Sequence, residues 1–177
     1  MPKWPKQSNS AMNAFYGNPD ANGDFHSDPA WESANIIKII PPYQLYYPEK
    51  IDGKIIKRQK KFKSLRVHKK CADSLMTVLS NIKSNFTPTD ISLYELDLCA
   101  GVHVFKLKTG GENLSVHSWG AAIDLSHLIN GWKIKHSKDP KKKMMPLEVV
   151  ELFEDEEWTW GGKWEYADAM HFQAANI

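Results

Sequence analysis

Two histidines and two aspartates of this chain have types and spacings that suit metal chemistry. His117 and Asp124 have six residues between them, and Asp168 and His171 follow far downstream with two residues between them. Two imidazoles and one carboxylate can hold one catalytic zinc ion and leave a fourth position to water. Zinc makes that water acidic enough to attack a carbonyl near neutral pH, and a further carboxylate, Asp168, can accept its proton. The residue types therefore predict a hydrolytic site with a single zinc ion.

The spacing sets conditions on the local backbone. The small residues 120–122 would let the chain pass close to a metal ion, although they equally suit tight packing. Residues three apart, such as Asp168 and His171, share a face of a helical turn but point to opposite faces of a straight strand. A bend at Ala169 and Met170 is therefore predicted. Without a metal, Asp168 would be a cap or a surface acid and His171 would bond to a main-chain carbonyl.

The elements that must position these residues follow from periodicity. The sequence predicts one amphipathic helix whose apolar residues run from Val67 to Phe86, and a second helix over Pro146–Phe153. It predicts strands at Val102–Leu107, before a turn at Thr109–Gly111, at Ala121–Leu125, and around residues 170–172. This order predicts an α+β fold, with the main helix packed on a small antiparallel sheet.

Length and composition favour a single domain. The 177 residues are 42% hydrophobic, which is enough for one core. Seven prolines punctuate residues 1–60, so an irregular N-terminal segment packed on the core is expected there, with the zinc domain over residues 61–177. No apolar run approaches the roughly 20 residues that span a bilayer, and no signal peptide is evident, so synthesis in the cytoplasm is expected. Cys71 and Cys99 form no CxxC pair and are expected to be buried, reduced thiols.

One stretch, residues 54–70, is strongly basic. It carries nine Lys or Arg and no acid, whereas the net charge of the whole chain is only +2. A solvated loop leading into a first helical turn is the simpler interpretation, and a patch for an anionic polymer is the alternative. Because the stretch lacks interleaved stacking aromatics beyond Phe62, nucleic acid is not expected as a partner. His68, on the predicted helix, is expected to be a hydrogen-bonded core residue.

Two blocks of sequence resemble a known family. The first reads S-x-H-x-x-G-x-A-x-D from Ser115 to Asp124, and the second combines W-G-G-x-W from Trp160 with D-x-M-H-F from Asp168. Together they resemble the zinc D-Ala-D-Ala carboxypeptidases, and within that family the phage L-alanyl-D-glutamate endopeptidases. The resemblance implies a hedgehog/D-Ala-D-Ala carboxypeptidase-like fold, one Zn²⁺ on His117, Asp124 and His171, and Asp168 as the catalytic base.

The remaining site residues are expected from their positions around these blocks. Similar enzymes place an arginine upstream of the first block, where this chain offers Lys106 and Lys108, which keep the charge but lose the bidentate fork. Ser115 is expected to support the site by hydrogen bonding, since no arrangement that would activate a serine nucleophile is evident. Three tryptophans are candidates to line a substrate groove, with core packing as the equal alternative: Trp119, Trp160 and Trp164.

The function that the resemblance implies is hydrolysis of a peptide bond in the stem peptide of peptidoglycan. A phage or prophage lysis enzyme is expected, monomeric, and dependent on a partner such as a holin to reach the wall. The alternative is a non-catalytic zinc protein on the same fold that binds the cell wall or belongs to the phage structure.

Overall fold

The main helix of the chain follows the predicted apolar periodicity. Helix α3, Ala72–Asn85, buries the side chains of Leu75, Val78, Leu79 and Ile82 in the core. It begins later than predicted, because Leu65–His68 forms a strand that pairs with Ile36–Ile39. His68 is therefore the last residue of a strand and not part of the helix. It is nevertheless the buried, hydrogen-bonded histidine that the sequence predicts.

The computed structural model describes residues 3–177, and its elements are mixed α and β as predicted. The other helices are α1 Asn9–Tyr16, α2 Pro29–Asn35, α4 Pro88–Leu93 and α5 Leu147–Asp155. The strands are β1 Ile36–Ile39, β2 Tyr46–Ile51, β3 Lys54–Lys61, β4 Leu65–His68, β5 Cys99–Gly101, β6 Ala122–Leu125, β7 Thr159–Trp160 and β8 His171–Gln173. The pairs β1–β4 and β2–β3 stand apart from a four-stranded antiparallel sheet in the order β5-β6-β8-β7.

The four-stranded sheet has one face on the core. Phe172 of β8 stacks on Phe153 of α5, with ring centroids 3.9 Å apart. Because side chains alternate along a strand, His171 and Gln173 point to the opposite face. The sheet thus separates an apolar layer from the layer that carries the polar residues.

The N-terminal 60 residues are more regular than predicted. They contain α1, α2, β1, β2 and most of β3. Pro29 misled the prediction because it is the first residue of a helix, where its missing N–H costs nothing. The segment is anchored to the C-terminal half, since the indole of Trp4 donates to the Glu156 carbonyl and the Tyr16 hydroxyl donates to Ala174. Met1 and Pro2 lie outside the described residues.

Two other predicted segments differ from the structure. Val102–Leu107 is not a strand, because β5 ends at Gly101 and only Leu107 makes a single bridge, to Leu114. The basic stretch is neither a loop nor a helical turn, since it forms β3 and β4. On the β2–β3 hairpin, Lys57 and Arg58 form ion pairs with the buried Glu95 and Asp97.

The other predictions about elements agree with the structure. Strand β6 and helix α5 lie within two residues of their predicted bounds, and Pro146 is the N-cap of α5. Cys71 and Cys99 are buried free thiols. Within residues 3–177, no helix is both long and apolar enough to cross a membrane.

The buried His68 predicts how stability depends on pH. Burial lowers the pKa of this imidazole to about 4, whereas an unfolded histidine titrates near 6.5. Between about pH 6.5 and 4, His68 is therefore protonated in the unfolded chain but stays neutral in the folded chain. The free energy of unfolding should fall by about 3 kcal/mol from this residue between pH 6.5 and 4, and no further below that window.

Urea unfolding of the wild type and of His68→Gln at pH 7.5 and 4.5 measures this effect. The variant should be less stable at pH 7.5, because it loses the buried contacts of the ring. Its stability should then fall less than that of the wild type on acidification. Equal losses in the two proteins would show that His68 does not set the pH dependence.

Candidate metal centre and active site

Strand pairing places two of the predicted ligands side by side. Asp124 of β6 and His171 of β8 are directly opposite each other in the antiparallel register. Opposite residues project from the same face of a sheet. A shift of one residue in this register would point one of the two side chains into the core. The register of the central strand pair is thus what creates the site.

A short 3-10 helix supplies the third predicted ligand. His117 lies on the turn Val116–Trp119, which ends at Gly120 in the left-handed region with φ +66°. A side chain at Gly120 would come within 2.9 Å of both the backbone nitrogen of His68 and the side chain of Ile36. Glycine is needed here for its backbone conformation and for the close approach of β4. It lets the chain reverse from His117 into β6.

The three ligand atoms converge closely. His117 Nε2 lies 3.1 Å from Asp124 Oδ1 and 3.2 Å from His171 Nδ1. His171 Nδ1 lies 2.9 Å from Asp124 Oδ1. Ligands around a zinc ion, with bonds of about 2.1 Å, are roughly 3.4 Å apart. All three side chains are buried, and they are the one potential metal-binding group of three or more His, Cys, Asp or Glu within residues 3–177.

In each imidazole, the ring nitrogen that faces away from Asp124 has a hydrogen-bond partner that suits metal binding by the other nitrogen. His117 Nδ1 lies 2.9 Å from the carbonyl oxygen of Val102, which can only accept, so Nδ1 carries the proton. His171 Nε2 lies 3.1 Å from Oε1 of Gln173, whose own amide donates to Ala175. Each ring can therefore offer its other nitrogen, which faces Asp124, as a metal ligand. Such supporting hydrogen bonds are typical of metal-bound histidines, so these residues fit a zinc ion.

The electrostatics of this cluster favour a positive charge at its centre. Burial tends to raise the pKa of Asp124, but interactions with His117 and His171 outweigh it and hold that pKa well below its usual range. Burial likewise tends to lower the pKa of His171, and the hydrogen bond and charge of Asp124 outweigh it and raise that pKa. The cluster therefore favours the ionised carboxylate of Asp124 and the protonated imidazole of His171.

The W-G-G motif positions Asp168. A side chain at Gly161 would meet the Asp168 carbonyl oxygen at 2.6 Å, and the backbone nitrogen of Asp168 donates to Gly161 at 2.9 Å. The indole of Trp160 donates to the Ala169 carbonyl at 2.9 Å. These contacts hold a turn at Ala169 and Met170, where the bend was predicted, closed by a bond from His171 N to the Asp168 carbonyl.

Asp168 lies in the same cleft as the three ligand residues. Its Oδ1 is buried and has no hydrogen-bond partner among residues 3–177. Burial raises the pKa of this carboxyl, although the nearby His171 partly offsets the effect. A desolvated carboxylate with an unused acceptor and an elevated pKa is suited to take up a proton.

The cleft has a volume of about 430 Å³ and contains both predicted lysines. The main chain of Lys106 is held by Ser118, whose hydroxyl accepts from Lys106 N at 3.0 Å and donates to Lys106 O at 2.9 Å. Lys108 also lines the cleft, and partial burial lowers its pKa. Ser115 and Trp164 line it too, and the ring of Trp164 lies 5.4 Å from that of His171.

Two of the predicted groove tryptophans lie elsewhere. Trp119 is only 1% exposed, and its indole donates to the Gly17 carbonyl. Trp160 is 4% exposed and supports the turn after Asp168. Neither lines the cleft, and both pack in the core, which is the second of the two interpretations given above.

Sequence reasoning missed several residues of the cleft. Gln173 could have been found, because residues two apart on a strand share a face and it follows His171 at that spacing. Gln7, which lines the cleft and donates to Gln173 at 3.1 Å, gives no signal in the sequence. The same holds for Trp132 and Tyr166, which lie in loops at the mouth.

Comparison with known proteins agrees with the two motif blocks. Residues 109–174 match a family model described as D-alanyl-D-alanine carboxypeptidase, which supports that family for this part of the chain. The match includes His117, Asp124, Asp168 and His171, and it begins one residue after Lys108. No curated protein and no solved structure gives a significant match to the chain.

Removing one ligand should weaken metal binding strongly. His117→Ala leaves two ligand side chains, so we expect its affinity for Zn²⁺ to fall by at least 100-fold, together with the thermal stabilisation that added zinc gives the wild type. Elemental analysis after dialysis and melting curves with and without zinc measure both effects.

His26→Ala is the matched control, because His26 is an exposed histidine whose contacts are with Asp24. This variant should bind zinc like the wild type. Full zinc binding by His117→Ala would contradict the ligand assignment.

Proposed function

We propose that this protein is a zinc peptidase that hydrolyses a peptide bond in the stem peptide of peptidoglycan. The observation that carries the proposal is the convergence of three buried ligand atoms with the unpartnered Asp168 carboxylate in one open cleft. The D-alanyl-D-alanine carboxypeptidase match over the same residues supports both the substrate class and the zinc ion.

Different residues of the chain would hold the metal ion and transfer the proton during hydrolysis. A zinc ion held by His117, Asp124 and His171 would supply Lewis acidity to the scissile carbonyl and lower the pKa of water. Asp168 Oδ1 accepts the proton of the attacking water and later delivers it to the nitrogen of the leaving amine. Burial of Asp168 suits both steps, because its raised pKa brings the carboxyl closer to the working pH.

The lysines of the cleft provide positive charge for an anionic substrate. Stem peptides carry free carboxylates, and a developing oxyanion adds negative charge during the reaction. Ser118 fixes the backbone of Lys106, so we assign carboxylate or oxyanion binding to Lys106 first and to Lys108 second. Lysine cannot form the paired hydrogen bonds of an arginine, which favours a substrate group that needs one point charge.

The biological setting that we propose is cell lysis by a phage or prophage. The protein would act as a monomeric endolysin of the L-alanyl-D-glutamate endopeptidase or D-Ala-D-Ala carboxypeptidase type. It would be made in the host cytoplasm and reach the wall with the help of a holin. The motif blocks support this assignment, because they resemble those of the phage L-alanyl-D-glutamate endopeptidases.

Asp168→Asn should separate catalysis from metal binding. The amide is isosteric but cannot take up the proton, so we expect cleavage of purified peptidoglycan to fall by at least 1000-fold while zinc content stays at the wild-type level. Release of new amino groups and elemental analysis measure the two quantities. Asp73→Asn, on the exposed side of α3, is the control and should be fully active. Full activity of Asp168→Asn would exclude Asp168 as the base.

Product analysis distinguishes an enzyme from a wall-binding protein. We expect digestion of peptidoglycan to release peptides with new termini, identifiable by mass spectrometry, and a chelator to stop their release until zinc is restored. The masses also identify the bond that is cut. If the protein sediments with peptidoglycan but yields no new termini under any metal condition, the non-catalytic alternative is correct.

A further inference from the structure

A pair of exposed aromatic side chains stands at the mouth of the cleft. Trp132 is 43% exposed and Tyr166 is 63% exposed, and both line the cleft that contains Asp168. Aromatic side chains normally bury most of their surface, so two exposed rings beside a polar site are an unpartnered apolar surface. Neither ring contributes to the core, and neither has a role in the hydrolysis described above.

Lys133 links the two rings. Its ammonium lies 4.2 Å from the ring centroid of Trp132 and 5.7 Å from that of Tyr166, within the range of cation–π attraction. Within residues 3–177 it forms no ion pair with a carboxylate, so its hydrogen-bond donors are available to a ligand. The three side chains offer apolar faces next to a polar donor.

The main chain ties this aromatic pair to the catalytic segment. The backbone nitrogen of Lys133 donates to the Ala167 carbonyl at 2.7 Å, and Ala167 stands between Tyr166 and Asp168. Lys133 takes up the left-handed region, with φ +65°, to make this contact. The bond therefore fixes the position of Trp132 relative to both Tyr166 and the proposed base. A ligand on the aromatic pair would have a defined position relative to the reacting bond.

We propose, on the basis of the function proposed above, that Trp132, Lys133 and Tyr166 form a subsite for an N-acetylhexosamine of the glycan strand. A pyranose ring has an apolar face of C–H groups that suits an aromatic face, and its hydroxyl and acetamido groups suit the donors of Lys133. In peptidoglycan each stem peptide is attached to such a sugar. A subsite contiguous with the cleft is thus where that sugar would lie when the peptide is bound.

The chemistry of the pair favours a sugar over other occupants. A purely apolar peptide side chain would leave the Lys133 ammonium without a partner, and a carboxylate would need only the lysine and not two exposed rings. The sugar uses both parts of the surface. A carboxylate of the stem peptide would instead pair with Lys106 or Lys108, which line another part of the cleft.

A titration tests sugar binding without catalysis. Chitotetraose, a tetramer of N-acetylglucosamine, is added to the full-length protein, and the chemical shifts of the protein are followed by NMR. We expect binding by the wild type with or without a chelator, and about tenfold weaker binding by Trp132→Ala and Tyr166→Ala. Trp132→Phe should restore most of the affinity. Tyr47→Ala is the matched control, because Tyr47 is also an exposed aromatic with a lysine over its ring, on the β2–β3 hairpin. It should bind like the wild type.

A kinetic comparison tests the position of the subsite. For the wild type and each variant, kcat/KM is measured on a disaccharide-linked stem peptide and on the same peptide without sugar. The ratio of the two values should fall about tenfold in Trp132→Ala and stay constant in Tyr47→Ala. An unchanged ratio in Trp132→Ala would overturn the proposal, and so would a wild type that does not bind chitotetraose. If the wild type hydrolyses neither substrate, the proposed function fails, and the titration alone decides whether the sugar subsite exists.

Discussion

A carboxylate buried between two imidazoles requires positive charge beside it. Asp124 lies on a central strand of the sheet, and burying an isolated carboxylate costs several kcal/mol. The inner ring nitrogens of His117 and His171 face this carboxylate, and the opposite ring nitrogens lie within hydrogen-bond distance of the Val102 carbonyl and of Gln173 Oε1. A divalent cation satisfies all three groups at once. The proposed chemistry depends on this requirement, since the same cation is what would activate a carbonyl in the cleft.

The surrounding structure mainly holds the three ligand residues and Asp168 in fixed positions around the cleft. Antiparallel register sets Asp124 opposite His171, and the left-handed Gly120 brings His117 back over the strand. On the other side of the cleft, Gly161 lets the backbone of Asp168 approach closely enough to be hydrogen-bonded in place. Gly120 and Gly161 thus have a steric explanation: a Cβ atom at Gly120 would collide with the backbone of β4, and one at Gly161 would collide with the backbone of Asp168.

The sequence predicted which residues converge in the cleft better than the elements that hold them. The ligand spacing and the need for a bend before His171 could be predicted because they follow from local stereochemistry. The register that joins residues 124 and 171 is a long-range contact, which one sequence does not reveal.

Val102–Leu107 alternates like a strand, yet it runs as an irregular segment held by Ser118 and by the turn that carries His117. The N-terminal prolines read as interruptions, although one of them begins a helix. Trp132 and Tyr166 could not be distinguished from core aromatics, because exposure depends on how loops pack against each other.

X-ray diffraction from crystals grown with Zn²⁺, recorded on both sides of the zinc absorption edge, tests the central claim most directly. We expect a single strong anomalous peak within bonding distance of His117 Nε2, Asp124 Oδ1 and His171 Nδ1, with little movement of the three side chains. A peak at other residues, or a cleft in which the imidazoles stay in contact with each other and no zinc enters, would contradict the account.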